Sequence, residues 1–178
     1  MIESRRLTKR IIVPEGVEVS IDGALTVKGP KGEIKRLLSY PTIEVKKEER
    51  DVVIEPKRFT KREKKIINTF RAHVNNMIKG VQEPFQYEVK ICSSHFPMSV
   101  KIEGKELVVK NFYGEKVPRR ADIMEGVKVN IDGDLIKIEG SDIEKVGQTA
   151  ANFEKSTRIT NRDRRIFQDG LWIIKKAK

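Results

Sequence analysis

The residues able to do covalent chemistry are few. The chain holds one cysteine, Cys92, and two histidines, His73 and His95. Cys92 and His95 lie three apart, so a thiol–imidazole pair is the first chemistry to test. Cys92, however, closes an alternating apolar run, Tyr87 to Cys92, and reads as a small buried apolar residue. His95 stands in Ser93-Ser94-His95-Phe96-Pro97, a turn sequence, and His73 neighbours Val74 in a helical pattern, where it reads as surface or packing. For zinc, Cys92 and His95 supply two ligands where a structural site takes four. The reading is of a protein with no catalytic residues, no metal site and no cofactor.

Anion-binding chemistry is better represented. Gly29-Pro30-Lys31-Gly32 has neither the length nor the Lys-Ser/Thr ending of a nucleotide loop. It fits the G-x-x-G of a helix-joining RNA module, but it follows Leu25-Thr26-Val27-Lys28 and precedes Glu33-Ile34, so it reads as a turn between strands. Phe112-Tyr113 is the only adjacent aromatic pair and reads as hairpin packing rather than a base-stacking platform. The tail is richer. Arg158-Ile159-Thr160-Asn161-Arg162-Asp163-Arg164-Arg165 mixes guanidinium groups with small polar donors, followed by Phe167 and an apolar anchor, Leu171-Trp172-Ile173-Ile174. Guanidinium forks bind phosphates bidentately, and tying down both ends of such a loop lowers its ordering cost. We read it as an RNA contact in preference to a solvated charged loop.

The charge agrees. The chain carries 37 lysines and arginines against 26 aspartates and glutamates, a net charge of +11 over 178 residues. Such a balance calls for a polyanionic partner. The plentiful acidic residues mark folded domains with basic regions, not a disordered polycation. No segment approaches the ~18–20 apolar residues needed to span a bilayer. Met1 to Arg6 is not followed by an apolar leader core, and a single cysteine suits a reducing cytosol. The expectation is a cytoplasmic protein with no membrane partner and no small-molecule substrate.

An internal repeat positions these residues. Val19 to Lys28 resembles Val100 to Lys110, each reading strand, acidic-Gly turn, strand. Lys31-Gly32-Glu33 then answers Tyr113-Gly114-Glu115, and Ile43 to Glu55 answers Val127 to Glu139. Asp132-Gly133 marks the second copy's hairpin strongly, and Glu49-Arg50 the first copy's weakly. Each copy ends in a helix. Thr60-Lys61-Arg62-Glu63 and Ser141-Asp142-Ile143-Glu144 both have capping-box spacing. After the first, Ile66, Ile67, Phe70, Val74, Met77, Ile78 and Val81 share a face that reads as core, with Gly80 as the C-cap. After the second, Ile143, Val146, Ala150 and Phe153 follow three-four spacing. The fold class is α+β: two tandem, duplicated small domains, residues 1–82 and 83–178, each an antiparallel sheet packed with one helix. The first half has 19 basic and 11 acidic residues, net +8, and the second 18 and 15, net +3. The first copy inserts Lys57-Arg58-Phe59 before its helix, which with Lys61, Arg62, Lys64 and Lys65 makes a dense basic cluster.

Several stretches, in order, resemble the universal ribosomal protein six family of the large subunit. They are Ala72 to Val81, His95-Phe96-Pro97, Asn111-Phe112-Tyr113-Gly114-Glu115-Lys116 with Arg119-Arg120, Glu139 to Val146, and Phe167 to Trp172. The tail is similar to the archaeal and eukaryotic form; bacterial members carry a proline-, glycine- and lysine-rich loop there. The resemblance implies two domains of duplicated origin and a structural, non-enzymatic role. It implies binding to large-subunit rRNA near the stalk base, the sarcin-ricin loop and the factor-binding region, with neighbouring ribosomal proteins as further partners. A non-ribosomal RNA chaperone or ribosome-biogenesis factor is the alternative. The RNA-binding residues we expect are Lys110, Asn111, Lys116, Arg119 and Arg120, then Arg158, Arg162, Arg164, Arg165, Lys175 and Lys176, and in the first copy Lys57, Arg58, Lys61 and Arg62. The second domain with its tail is expected to make the main contact, although the first domain's larger charge points the other way.

Overall fold

A computed structural model describes residues 7–177. The reading of Met1 to Arg6 as lacking a leader lies outside the described residues. The chain divides into two compact units, Met1–Pro84 and Phe85–Lys178. No described helix is long and apolar enough to cross a membrane.

The first unit runs β1 (Lys9–Ile11), β2 (Glu18–Asp22), β3 (Ala24–Gly29), β4 (Gly32–Arg36), β5 (Ile43–Glu48), β6 (Asp51–Pro56) and α1 (Lys61–Gln82). The second runs β7 (Phe85–Cys92), β8 (Ser99–Glu103), β9 (Glu106–Lys110), a 3-10 turn (Phe112–Gly114), β10 (Arg119–Asp122), β11 (Lys128–Asp132), β12 (Leu135–Gly140), α2 (Ile143–Ser156) and β13 (Gly170–Lys175). Every strand pair is antiparallel. Each half is a sheet-plus-helix unit, and its strands divide into two small sheets rather than one. The first unit has orders β1-β6-β5 and β2-β3-β4; the second has β11-β12-β7-β13 and β10-β9-β8. The repeat therefore matches strand for strand, with β7 in the place of β1. Only β13 has no counterpart among the described residues.

The helices hold the sheets. Ile67, Val74 and Val81 of α1 are at most 1% exposed and pack with Val27, Val52 and Ile54. Val146, Ala150 and Phe153 of α2 are wholly buried with Val89, Leu107, Ile136, Ile138 and Leu171. At about 1.5–3 kcal/mol per large apolar side chain, these faces are the main stabilising contribution to each thin unit.

Both helix boundaries need correction. Gly80 is not the C-cap of α1: the helix continues to Gln82 and ends at Glu83, whose N–H donates to the Lys79 carbonyl. The extension has a tertiary cause. It carries Val81 onto Gly29, and the Val81 carbonyl accepts from the Lys31 N–H at 3.0 Å. Gly29-Pro30-Lys31-Gly32 is thus a turn between β3 and β4 clasped to the end of α1. The N-cap of α2 is Asp142, not Ser141; its carboxylate accepts from the Glu144 N–H at 2.9 Å. Thr60 caps α1, accepting from the Arg62 N–H at 3.2 Å.

The copies diverge most after their second hairpin strand. Two residues, Pro30 and Lys31, join β3 to β4, whereas the segment from Asn111 to Pro118 joins β9 to β10. Lys31-Gly32-Glu33 and Tyr113-Gly114-Glu115 are alike in sequence but sit in unequal connections.

Candidate nucleic-acid interface

The basic tail is a closed loop. The chain leaves α2 at Thr157 and returns at Gly170 to begin β13, which pairs with β7. The buried Thr157 hydroxyl accepts from the Leu171 N–H at 2.9 Å and clamps the neck of the loop. A second anchor lies at Asp169, 3% exposed in an otherwise basic tail. Its carboxylate accepts from the N–H groups of Ser94 (2.8 Å) and His95 (3.0 Å) and faces His95 Nδ1 at 3.2 Å. An ionised carboxylate only accepts, so Nδ1 carries the imidazole proton. Burial alone would raise the Asp169 pKa. The backbone N–H groups of His95 and Ser94, then the imidazole, outweigh it and hold the carboxyl below its ordinary range.

Aromatic and guanidinium groups pack across this anchor. His95 stacks on Phe167 at 5.2 Å and 27°, and Tyr113 meets Phe167 edge-on at 5.9 Å. Arg162 lies over both Tyr113 and Phe167, 5.1 and 4.9 Å from their centroids. Phe112 is buried, as hairpin packing requires, and carries Arg119 over its ring at 4.3 Å. Arg119 also forks onto Glu115 at 2.7 and 2.6 Å and donates to the carbonyls of Ser156 and Arg158. It joins the 111–118 connection to the tail. The connection is strained: Asn111 (φ 61°) and Tyr113 (φ 49°) are left-handed without being glycine, at about 1–3 kcal/mol each. Asn111 secures its place by donating to the Pro97 carbonyl at 2.9 Å.

The fifteen expected residues fall into distinct settings. Arg119, Arg162 and Asn111 spend donors or faces within the unit. Arg165 is bound to Asp163 through its backbone N–H, Nε and Nη2, which depresses the Asp163 pKa. Lys110, Arg120 and Lys175 form exposed pairs with Glu103, Glu106 and Glu88 at 3.7, 2.8 and 2.9 Å. Such pairs contribute little and exchange readily for a phosphate. Lys116, Arg158, Arg164 and Lys176 are exposed and have no ion pair among the described residues. In the first unit Lys57, Arg58 and Lys61 are exposed and likewise unpaired, while Arg62 lies 5.8 Å from the Tyr40 ring. The second unit brings its 110–120 and 158–165 groups together; the first unit's cluster surrounds the start of α1.

Sequence reasoning missed Asp169 and the pairing role of His95. The one signal for Asp169 was its position, an acid directly before the glycine and apolar strand that end a basic run.

The family model described as "Ribosomal protein L6" matches residues 13–84 and again 96–170, one match in each unit. The large ribosomal subunit protein uL6 of Sulfurisphaera tokodaii is 47% identical over 172 residues, covering 96% of this chain and 92% of that protein. The protein of the same description from Methanosarcina mazei is 45% identical, covering 97% and 99%. That of Methanobrevibacter smithii is 44% identical, covering 99% of each chain.

Proposed function

The chain belongs to the ribosomal protein L6 family, of the archaeal kind, and from that premise we propose that it binds and braces large-subunit rRNA near the stalk base, close to the sarcin-ricin loop and the factor-binding region. It is a structural component of the large ribosomal subunit in the cytoplasm and not an enzyme. Its partners are ribosomal: the RNA, and neighbouring large-subunit proteins at the stalk base.

The observation that carries this reading is the loop 158–169, anchored at Thr157 and at Asp169, in which the Arg158 and Arg164 side chains are exposed and have no ion pair among the described residues. A loop fixed before binding loses little conformational entropy on meeting RNA. Lys116 and the exchangeable pairs of Lys110 and Arg120 extend the cationic surface along the 110–120 segment. Recognition is chiefly of backbone and shape, because the deep groove of duplex RNA hides its base edges.

The test is equilibrium binding of the full chain to large-subunit rRNA fragments across a salt series, with unrelated structured RNA as competitor. A steep slope consistent with ~6–10 phosphate contacts is expected, together with preference for one fragment. Lys116→Glu, Arg158→Glu and Arg164→Glu together should flatten the slope by about three and weaken binding at least a hundredfold. An unchanged slope would remove the tail from the interface.

A further inference from the structure

The neck of the tail loop encloses a hollow lined by the same two arginines that phosphate bracing would use. A cavity of about 310 Å³ opens between the last turn of α2, the start of the tail and β13. Leu171, 1% exposed, and Ile159 supply its apolar part, and Trp172 lines it as well. Arg158, Arg164 and Lys155 line it, against a single carboxylate, Glu154. Neither arginine has an ion pair among the described residues, although Arg165 beside them is tied to Asp163.

The hollow is preformed. The Trp172 Nε1 donates to the Gln168 carbonyl at 2.9 Å, which fixes the plane of the indole. Thr157 and Leu171 are joined across its floor, and the Arg158 carbonyl is held by Arg119. The turn that carries Arg164 is closed by the N–H groups of Ile166 and Phe167 on the Asp163 carbonyl. The volume stands at the lower end of the ligand-site range of ~300–1,000 Å³: room for one nucleobase and its ribose, and too little for a helix.

We propose that this pocket receives a single unpaired, extruded nucleotide of the rRNA, its base stacked on Trp172 and its flanking phosphates held by Arg158 and Arg164. The proposal rests on the rRNA-binding reading and adds sequence-position information to it. Backbone contacts along a duplex fix orientation but tolerate sliding by a base pair. A pocket that admits one splayed base fixes register, since only a bulge or loop supplies it. An aromatic wall is tolerant of base identity because every base has a π-face, and guanidinium groups beside it supply the phosphate contacts. Three cations against one carboxylate favour a nucleotide over an apolar protein side chain as the occupant.

Trp172 is the chain's only tryptophan, so its fluorescence reports on the pocket alone. The full chain is titrated with deproteinised archaeal large-subunit rRNA, with binding followed separately by filter retention. Quenching of Trp172 and its shielding from acrylamide, in step with binding, are expected. Arg158→Ala with Arg164→Ala should abolish the quenching, and Trp172→Leu should weaken binding roughly ten- to a hundredfold, the size of one base–aromatic stack. Trp172→Phe should restore most of that loss, an outcome a merely structural role would not single out. Binding that leaves Trp172 emission unchanged overturns the proposal and leaves the rRNA reading standing. Absence of any binding overturns both. Shielding in intact subunits that survives nuclease digestion would assign the pocket to a neighbouring protein instead.

Discussion

The two units share strand order and helix placement, yet they hold their positive charge differently. In the first, Lys57, Arg58, Lys61, Lys64 and Lys65 crowd the start of α1 with no ion pairs among the described residues. Cations at a helix N-terminus oppose the helix dipole, so this cluster costs stability. In the second, Arg119, Arg162 and Arg165 are stacked, forked or both. The difference arises from added chain: the 111–118 connection replaces a two-residue turn, and the tail with β13 has no counterpart in the described first unit. A duplicated scaffold holds its charge in place through two lengthened connections, while the cations at the start of α1 have no ion pair among the described residues.

The largest effect should come from removing the anchor that makes the second unit different. Asp169→Ala leaves the Ser94 and His95 N–H groups without their acceptor and frees the far end of the tail loop. A loss of about 3 kcal/mol is expected, read as a lower urea midpoint in Trp172 emission. RNA affinity should fall while the salt slope changes little, because the cations remain but are no longer held in place. A stability loss under about 1 kcal/mol would show that aromatic stacking alone orders the loop, and the contrast with the first unit would shrink accordingly.

Two glycines sharpen the comparison at the level of the core. A Cβ on Gly29 would meet Val81 Cγ2, Cβ and O at 2.7, 2.8 and 2.9 Å, the last being backbone. A Cβ on Gly140 would meet Val146 Cγ2 at 2.8 Å, with its other neighbours at 3.4 Å or beyond. The Gly140 clash is with one side-chain methyl, from which the strand end can ease back; the Gly29 clash includes a helix-terminal carbonyl that also accepts from Lys31. Gly29→Ala should therefore cost about 3 kcal/mol and Gly140→Ala about 1 kcal/mol, the two ends of the overpacking range. Thermal denaturation of the two variants side by side settles the order; equal losses would show that α1 shifts as easily as Val146.

These contrasts mark where sequence was legible and where it was not. The hairpins were readable because acidic-Gly turns and period-two alternation are local signals, and the core faces of α1 and α2 because three-four spacing is local too. Gly80 misled because C-cap preference was overridden by a contact fifty residues away, between Val81 and the Gly29–Lys31 turn. Asp142 displaced Ser141 as N-cap because both side chains can accept and the boundary moves by one residue at no local cost. The tail's arginines were visible as a run, but their different states were not. Arg165 is tied to Asp163 two residues away, but Arg162 lies over Tyr113 and Phe167, rings brought together across the unit, which no periodicity reports.

The smallest effect concerns how the two helices begin. α2 is capped by a carboxylate, Asp142, whereas α1 is capped by the neutral Thr60, with Glu63 buried beside it. The Thr60 hydroxyl, the Glu63 backbone N–H and then the Thr42 hydroxyl hold the Glu63 carboxyl below its ordinary value of 4.5. A depressed folded-state pKa contributes stability that is complete above the unfolded value and lost as pH falls through the folded one. Glu63→Gln keeps an acceptor for one hydroxyl, turns an N–H group on the other and cannot titrate, so it should lower stability at neutral pH and flatten the decline below 4.5. Thr60→Ala removes the largest cause of the depression along with the cap. It should cost about 1 kcal/mol at neutral pH and narrow the acid decline from its lower end, because the folded-state value rises toward the ordinary carboxylate range. Urea midpoints taken at neutral pH and through the acid range separate the two variants. If Glu63→Gln leaves the acid slope intact, the sensitivity belongs to the depressed carboxylates of the second unit, Asp169 and Glu115 among them, and that unit rather than the first is the one that acid loosens.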